Sequence, residues 1–177
     1  MPEDGVPSPL RGAEVSIREA QASDIAALVE LEGRAFLSDR LTRRRFAALA
    51  KSPSASLLVA DAGEALLGYV LILTRRGSRS ARLYSLAVAP EAQGGGLGLK
   101  LLSAAEAAAE ARGAGRLRLE VRTDNEPAVR LYERAGYSQL ARQENYYEDG
   151  MAALRYGRDF RERSPASMQV PAMGRAA

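Results

Sequence analysis

"RLYSLAVAPEAQGGGLGLKLLSAAEAAAEARGAGRLRLEV", from Arg82 to Val121, decides the fold. It opens as an apolar strand that Pro90 ends, then passes through Gly94-Gly95-Gly96-Leu97-Gly98, four glycines in five residues. A helical pattern runs from Leu97 to about Ala111, and "RLRLEV" is a second strand. Strand, glycine turn, helix and strand make a βαβ unit.

The flanks complete the order. "VSIRE" (Val15–Glu19) alternates as a strand does, and "ASDIAALVELEGRAF" follows it. There Ser23 or Asp24 is the expected N-cap, and Ile25, Leu28, Val29 and Leu31 form an apolar stripe. Thr42 is placed to cap a short helix through Ala50. "SLLVAD" and "ALLGYVLILTRR" read as strands joined by a turn at Ala62-Gly63-Glu64. Beyond Val121, Pro127 is expected at the N1 position of a helix, "PAVRLYERAG", which Gly136 closes at C′. "YSQLARQ" and "MAALRYG" are the last strands. An antiparallel N-terminal half thus meets a βαβ unit, which predicts a mixed α/β (α+β) fold. Its central sheet is mostly antiparallel with flanking helices. Residues 14–160 read as one domain, and the proline-spotted segments 1–13 and 161–177 as flexible tails.

Composition excludes several chemistries. The 177 residues hold no cysteine and no histidine, which removes disulfides, thiolate sites, Ser-His-Asp triads and histidine metal sites. No metal is expected. Carboxylates, tyrosines, hydroxyls, arginines and backbone amides remain. The net charge is +3, with Lys51 and Lys100 the only lysines, and the arginines are interspersed with acids. That dispersion argues against nucleic acid as the main partner. No apolar run reaches the roughly 20 residues of a membrane span, and the N-terminus lacks a signal-peptide pattern, so a cytoplasmic protein is expected.

The glycine stretch admits three readings. A flexible loop does not account for a strand ending just before it and a helix starting just after. A dinucleotide fingerprint, G-x-G-x-x-G, fails at Leu101, and a Walker pattern fails around Lys100. The third is a diphosphate held by backbone amides at a helix start, where the dipole favours an anion and glycines allow close approach. Coenzyme A carries such a diphosphate without a nicotinamide.

"VAPEAQGGGLGLKLL" resembles motif A of the GNAT acetyltransferases, with Gln93, Gly96 and Gly98 in signature positions. "RLEVRTDNEPAVRLYERAGY" resembles their motif B, and the match spans about Val15 to Arg158. Within that superfamily, this stretch with "NYYEDG" after it looks most like the ribosomal-protein-alanine N-acetyltransferases and related N-terminal acetyltransferases. The family often has arginine at the position of Gly95, so one phosphate contact is missing here.

The resemblance implies acetyl-CoA as cosubstrate and an amine as acceptor. Gln93, Gly94, Gly95, Gly96, Leu97, Gly98 and Leu99 would form the pyrophosphate cradle. The main chain of Leu86, Ala87 and Val88 would pair with the pantetheine arm. Asn125 caps the helix after it, bonds that arm, or does both.

Acetyl transfer needs a base for the amine, a donor for the oxyanion and a proton for the thiolate. An α-amine, with a pKa of about 8, loses its proton far more readily than lysine at about 10.4. Glu120 matches the family's catalytic glutamate; the alternative is a surface carboxylate paired with Arg118 or Arg122. Tyr132 matches the acid: its pKa of about 10 exceeds the roughly 8.5 of a thiol, so it is still protonated when a thiolate departs. The alternative is an aromatic anchor for its helix. Tyr146 and Tyr147 shape an acceptor pocket or simply pack a hairpin, and Phe36 to Arg45 would form the opposite wall.

The expected activity is therefore direct acetyl transfer to a protein or peptide amine, an N-terminal one or a lysine. The alternatives are a small-amine acetyltransferase of the same fold, a non-catalytic CoA-binding sensor and a nucleic-acid-binding module. The sequence leaves monomer and homodimer both open.

Overall fold

Each expected segment becomes the expected element in a computed structural model, which describes residues 14–160; the expected tails at 1–13 and 161–177 lie outside the described residues. β1 (Ser16–Glu19) leads through a 3-10 turn into α1 (Ile25–Ala35) and α2 (Arg43–Ala50). β2 (Ala55–Asp61), β3 (Leu66–Leu73) and β4 (Ser80–Val88) form a meander. α3 (Leu97–Ala111), β5 (Arg116–Arg122), α4 (Glu126–Arg134), β6 (Ser138–Gln143) and β7 (Ala153–Asp159) complete the order.

The strands make one sheet in the order β1-β2-β3-β4-β5-β7-β6. Every pairing is antiparallel except that of β4 with β5. A parallel neighbour needs a crossover, and α3 supplies it.

β2 and β3 are buried almost throughout because helices cover both faces. Successive strand residues point to opposite faces, and Gly68 and Tyr69 show what lies on each. A Cβ at Gly68 would stand 2.8 Å from Leu101 of α3, so glycine lets that helix close on the sheet. Tyr69 points the other way, edge-on to Phe46 of α2 at 5.4 Å. The apolar stripe of α1 (Ile25, Leu28, Leu31) is buried on that same side, and Val29 packs at its margin.

Local chemistry fixes the element ends, with two departures from expectation. Thr42 caps α2 as predicted, its Oγ1 accepting from Arg45 N at 3.2 Å. Asp24 precedes α1 but does not cap it with its side chain. Its carboxylate accepts from Gln21 N at 2.7 Å and pairs with Arg18, because the 3-10 turn at Ala22–Asp24 takes up that first turn. Pro127 is the second residue of α4, since Glu126 takes N1 after the Asn125 cap. Gly136 closes α4 at C′ with φ +85°. Gly136 N bonds Glu133 O, and Tyr137 N bonds Tyr132 O at 3.0 Å, the paired bonds of a Schellman end.

Candidate active site

The parallel ladder is short. β4 and β5 pair only from Ser80↔Arg116 to Leu83↔Leu119, after which β4 continues with β3 alone and β5 with β7 alone. A β-bulge marks the parting: Leu71 faces Ser85 and Ile72 faces Leu83, leaving Tyr84 as the extra residue. A bulge bends and twists its strand, which turns β4 away from β5. Leu86, Ala87 and Val88 therefore run along an edge with no strand beside it on the β5 side.

Glu120 is the first residue of β5 beyond the ladder. Its side chain is only 13% exposed and meets two guanidiniums, Arg82 Nε at 3.0 Å and Arg155 Nε at 3.4 Å. An ion pair was one sequence expectation, but its partners are not Arg118 or Arg122. Arg155 stands opposite Glu120 in the β5–β7 register, whereas Arg118 and Arg122 are neighbours along β5 itself. Arg122 instead binds Asp124 and Asp149 at 3.0 and 2.7 Å. Arg82 also donates to the Tyr146 hydroxyl at 3.0 Å.

Tyr132 lies on α4, 6% exposed, its ring tilted against Tyr137 at 5.9 Å. The anchoring role is thus real. Its hydroxyl receives no hydrogen bond from the described residues and is not sealed from solvent. Burial pushes its pKa up, and the nearby Tyr147 adds to this. It stays a protonated donor at neutral pH.

The glycine turn divides into separate jobs. Gly94 and Gly96 both hold φ +82°, a conformation glycine adopts at little cost, and Gly96 directly precedes α3. Gly98 sits in the first helical turn, where a Cβ would press within 3.3 Å of Leu131 of α4. Gly95 has neither constraint: a Cβ there would meet only Ala92 O at 3.7 Å. Leu97 is buried beneath the turn and Leu99 is half exposed. The amides of a helix start have no intrahelical acceptor, and such a terminus favours an anion. The Gln93 side chain donates to Val88 O at 3.2 Å, tying the glycine turn to the end of β4. Asn125 caps α4, its Oδ1 accepting from Ala128 N at 3.3 Å, and its amide nitrogen stays exposed.

The connection between β6 and β7 carries the two tyrosines of the first expected wall. Tyr146 and Tyr147 pack edge-to-face at 5.0 Å, and Arg122 lies over the Tyr147 ring at 4.9 Å. Burial, followed by Tyr146, pushes the Tyr147 hydroxyl up to about 12, and Glu120 and Asp39 both act on it. Asp39 belongs to the connection between α1 and α2, so a charge from that second expected wall lies within electrostatic reach of Tyr147.

Sequence reasoning missed a buried chain behind it. Glu32, 2% exposed on α1, accepts from Leu41 N at 2.8 Å and from the Tyr69 hydroxyl at 2.5 Å. Tyr69 also bonds Ser85 Oγ at 2.7 Å, next to the bulge. The available signal was a carboxylate one residue after Leu31, on the apolar face of α1 with Leu28. It missed Arg82 as well, which only the β4–β5 register brings to Glu120.

A model of the acetyltransferase (GNAT) family matches residues 25–137. The N-alpha-acetyltransferase RimI of Mycobacterium tuberculosis strain H37Rv is 33% identical over 136 residues, 75% of this chain and 84% of that protein. The crystal structure of the ribosomal-protein-S18-alanine N-acetyltransferase from Escherichia coli superposes with a TM-score of 0.73 at 26% identity. It covers 82% of this chain and 94% of its own. The crystal structure of nourseothricin acetyltransferase has a TM-score of 0.68 at 26% identity, over 82% and 98%.

Proposed function

This chain belongs to the acetyltransferase (GNAT) family, and from that membership we infer an acetyl-CoA-dependent enzyme acting on the N-terminal amine of a protein or peptide. The observation that carries the inference is the end of the parallel ladder at Leu83↔Leu119, with Glu120 next in line.

The chain fits the cosubstrate. Gly94 and Gly96 turn the backbone so that the amides of residues 94–99 surround an anion without side chains in the way. The unpartnered edge of β4 at Leu86–Val88 offers main-chain groups to an extended amide arm, and the Asn125 amide nitrogen, unbonded among the described residues at the start of α4, is left for the same arm. When bound, acetyl-CoA supplies an acetyl group activated as a thioester.

The remaining roles belong to side chains. Glu120 accepts a proton from the acceptor ammonium through a water molecule. An α-amine at about 8 gives up that proton more readily than a lysine at about 10.4, which favours the N-terminal acceptor. Main-chain amides of β4 face charge developing on oxygen. Tyr132 directs its unbonded hydroxyl at charge developing on sulfur. Burial raises the phenol's pKa, and the same surroundings disfavour a thiolate, so the two shift together and transfer is not blocked.

Thiol release tests this. Purified protein with acetyl-CoA should release coenzyme A with N-terminal peptides and show N-α-acetylation by mass spectrometry. Release with small amines alone, as the likeness to nourseothricin acetyltransferase allows, would make the acceptor a small molecule.

A further inference from the structure

β5 turns Leu117, Leu119 and Val121 into the core, and alternation places Arg116, Arg118, Glu120 and Arg122 on the other face. Three of these four are matched. Arg116 pairs with Asp159 at 2.6 Å, Glu120 with Arg82 and Arg155, and Arg122 with Asp124 and Asp149. Arg118 is the exception. Among the described residues no carboxylate forms a salt bridge with it, and its stem lies along β7, where a Cβ on Gly157 would be 3.6 Å from Arg118 Cγ.

The neighbours deepen the imbalance. Arg82 is the register partner of Arg118 on β4. Like charges directly opposite on adjacent strands destabilise a sheet. Asp159, already paired with Arg116, also acts on Arg118. Arg82, Arg116, Arg118 and Arg155 thus set four guanidiniums against the two carboxylates of Glu120 and Asp159, an excess of two positive charges. Arg82 and Arg155 remain 44% and 41% exposed, so the strip is open to a ligand. It starts at the strand opening, where Tyr146 reaches Arg82 from the β6–β7 connection.

We propose that this strip recognises an acidic side chain at the second or third residue of the acceptor peptide. The inference rests on the peptide-acceptor reading above. Arg118 is two residues from Glu120, about 7 Å along a strand, which is also the span of two residues of an extended peptide. An amine at Glu120 therefore carries its next side chains over Arg82 and Arg118. Opposite charges there act through attraction and orientation, an effect that salt weakens.

Peptides identical except for Asp, Gln or Lys at positions two and three test it, with KM read from thiol release at low and high salt. The Asp peptides should show a KM about fivefold below the Gln peptides, the Lys peptides a higher one, and salt should narrow the spread. Arg118→Gln should bring the Asp and Gln values together, and Arg118→Glu should make the Lys peptides the preferred ones. That inversion cannot arise from misfolding. Equal KM values for all three peptides would overturn the proposal, as would a preference for Asp that survives Arg118→Glu. If no peptide is acetylated at all, the peptide-acceptor reading falls and takes this inference with it, whereas equal KM values sink this inference alone.

Discussion

Arg82 Nε donates to Glu120 Oε2 at 3.0 Å across the line at which β4 and β5 cease to pair. The contact closes the apex of the opening and holds the carboxylate in one orientation. Arg155 holds its other oxygen from β7. The carboxylate is thus positioned from both flanking strands.

Glu120→Gln should therefore lower kcat by about a hundredfold, the range expected for loss of a positioned base. The amide keeps the shape of the side chain, and both arginines retain solvent. The melting temperature should stay close to that of the wild-type protein. Steady-state kinetics and a thermal melt decide it; kcat within threefold of wild type would remove Glu120 from the chemistry.

Tyr132→Phe separates the two roles of that side chain. No described residue bonds the hydroxyl, so its loss should change stability by no more than about 0.5 kcal/mol while kcat falls at least tenfold. Tyr132→Ala removes the packing against Tyr137 as well and should cost about 3–5 kcal/mol by denaturant unfolding. Equal kcat in Tyr132→Phe and wild type would leave only the anchoring role.

Local rules carried the sequence reading far. The strand runs of β2 to β5, the Thr42 cap and the Gly136 stop each depend on neighbours within a few residues, and each appears where the local sequence placed it. Asp24 stands at the expected N-cap position of α1, but its carboxylate bonds Gln21 N at 2.7 Å in place of the helix start. The partners of Glu120 were out of reach of local rules. Arg82 and Arg155 lie 38 and 35 positions away, and only the strand register brings them in. The Glu32–Tyr69–Ser85 chain likewise joins three elements, and no spacing within one of them announces it.

The glycines of the cradle should respond unequally. Gly95→Arg meets open space and an ordinary backbone, so the protein should fold normally. The added cation should lower KM for acetyl-CoA several-fold, because it restores the phosphate contact that the family often has. Gly98→Ala pushes its new methyl towards Leu131 and should raise that KM by shifting the first turn of α3. KM values for acetyl-CoA at a fixed acceptor concentration check both. A Gly95→Arg variant with weaker binding would mean that the anion lies elsewhere.

Glu32 gives a dependence on pH with a definite sign. Burial raises its carboxyl pKa, against the opposing pull of the hydrogen bonds from Leu41 and Tyr69. The folded protein thus holds that proton more tightly than the unfolded chain does. The resulting stabilisation is complete below the ordinary glutamate value of about 4.3 and is lost as pH rises through the raised folded value. Glu32→Gln cannot ionise, yet its amide can still accept from Leu41 N and donate to Tyr69 Oη, which is free to donate to Ser85. The stability of wild type relative to Glu32→Gln should therefore decline from pH 4 to pH 8, as urea unfolding at each pH would show. A difference that grows with pH would mean that Glu32 is more acidic folded than unfolded. Leu41 lies within Phe36–Arg45, the segment proposed to wall the acceptor, so the acceptor KM of Glu32→Ala, which leaves Leu41 N without its partner, should rise more than its KM for acetyl-CoA.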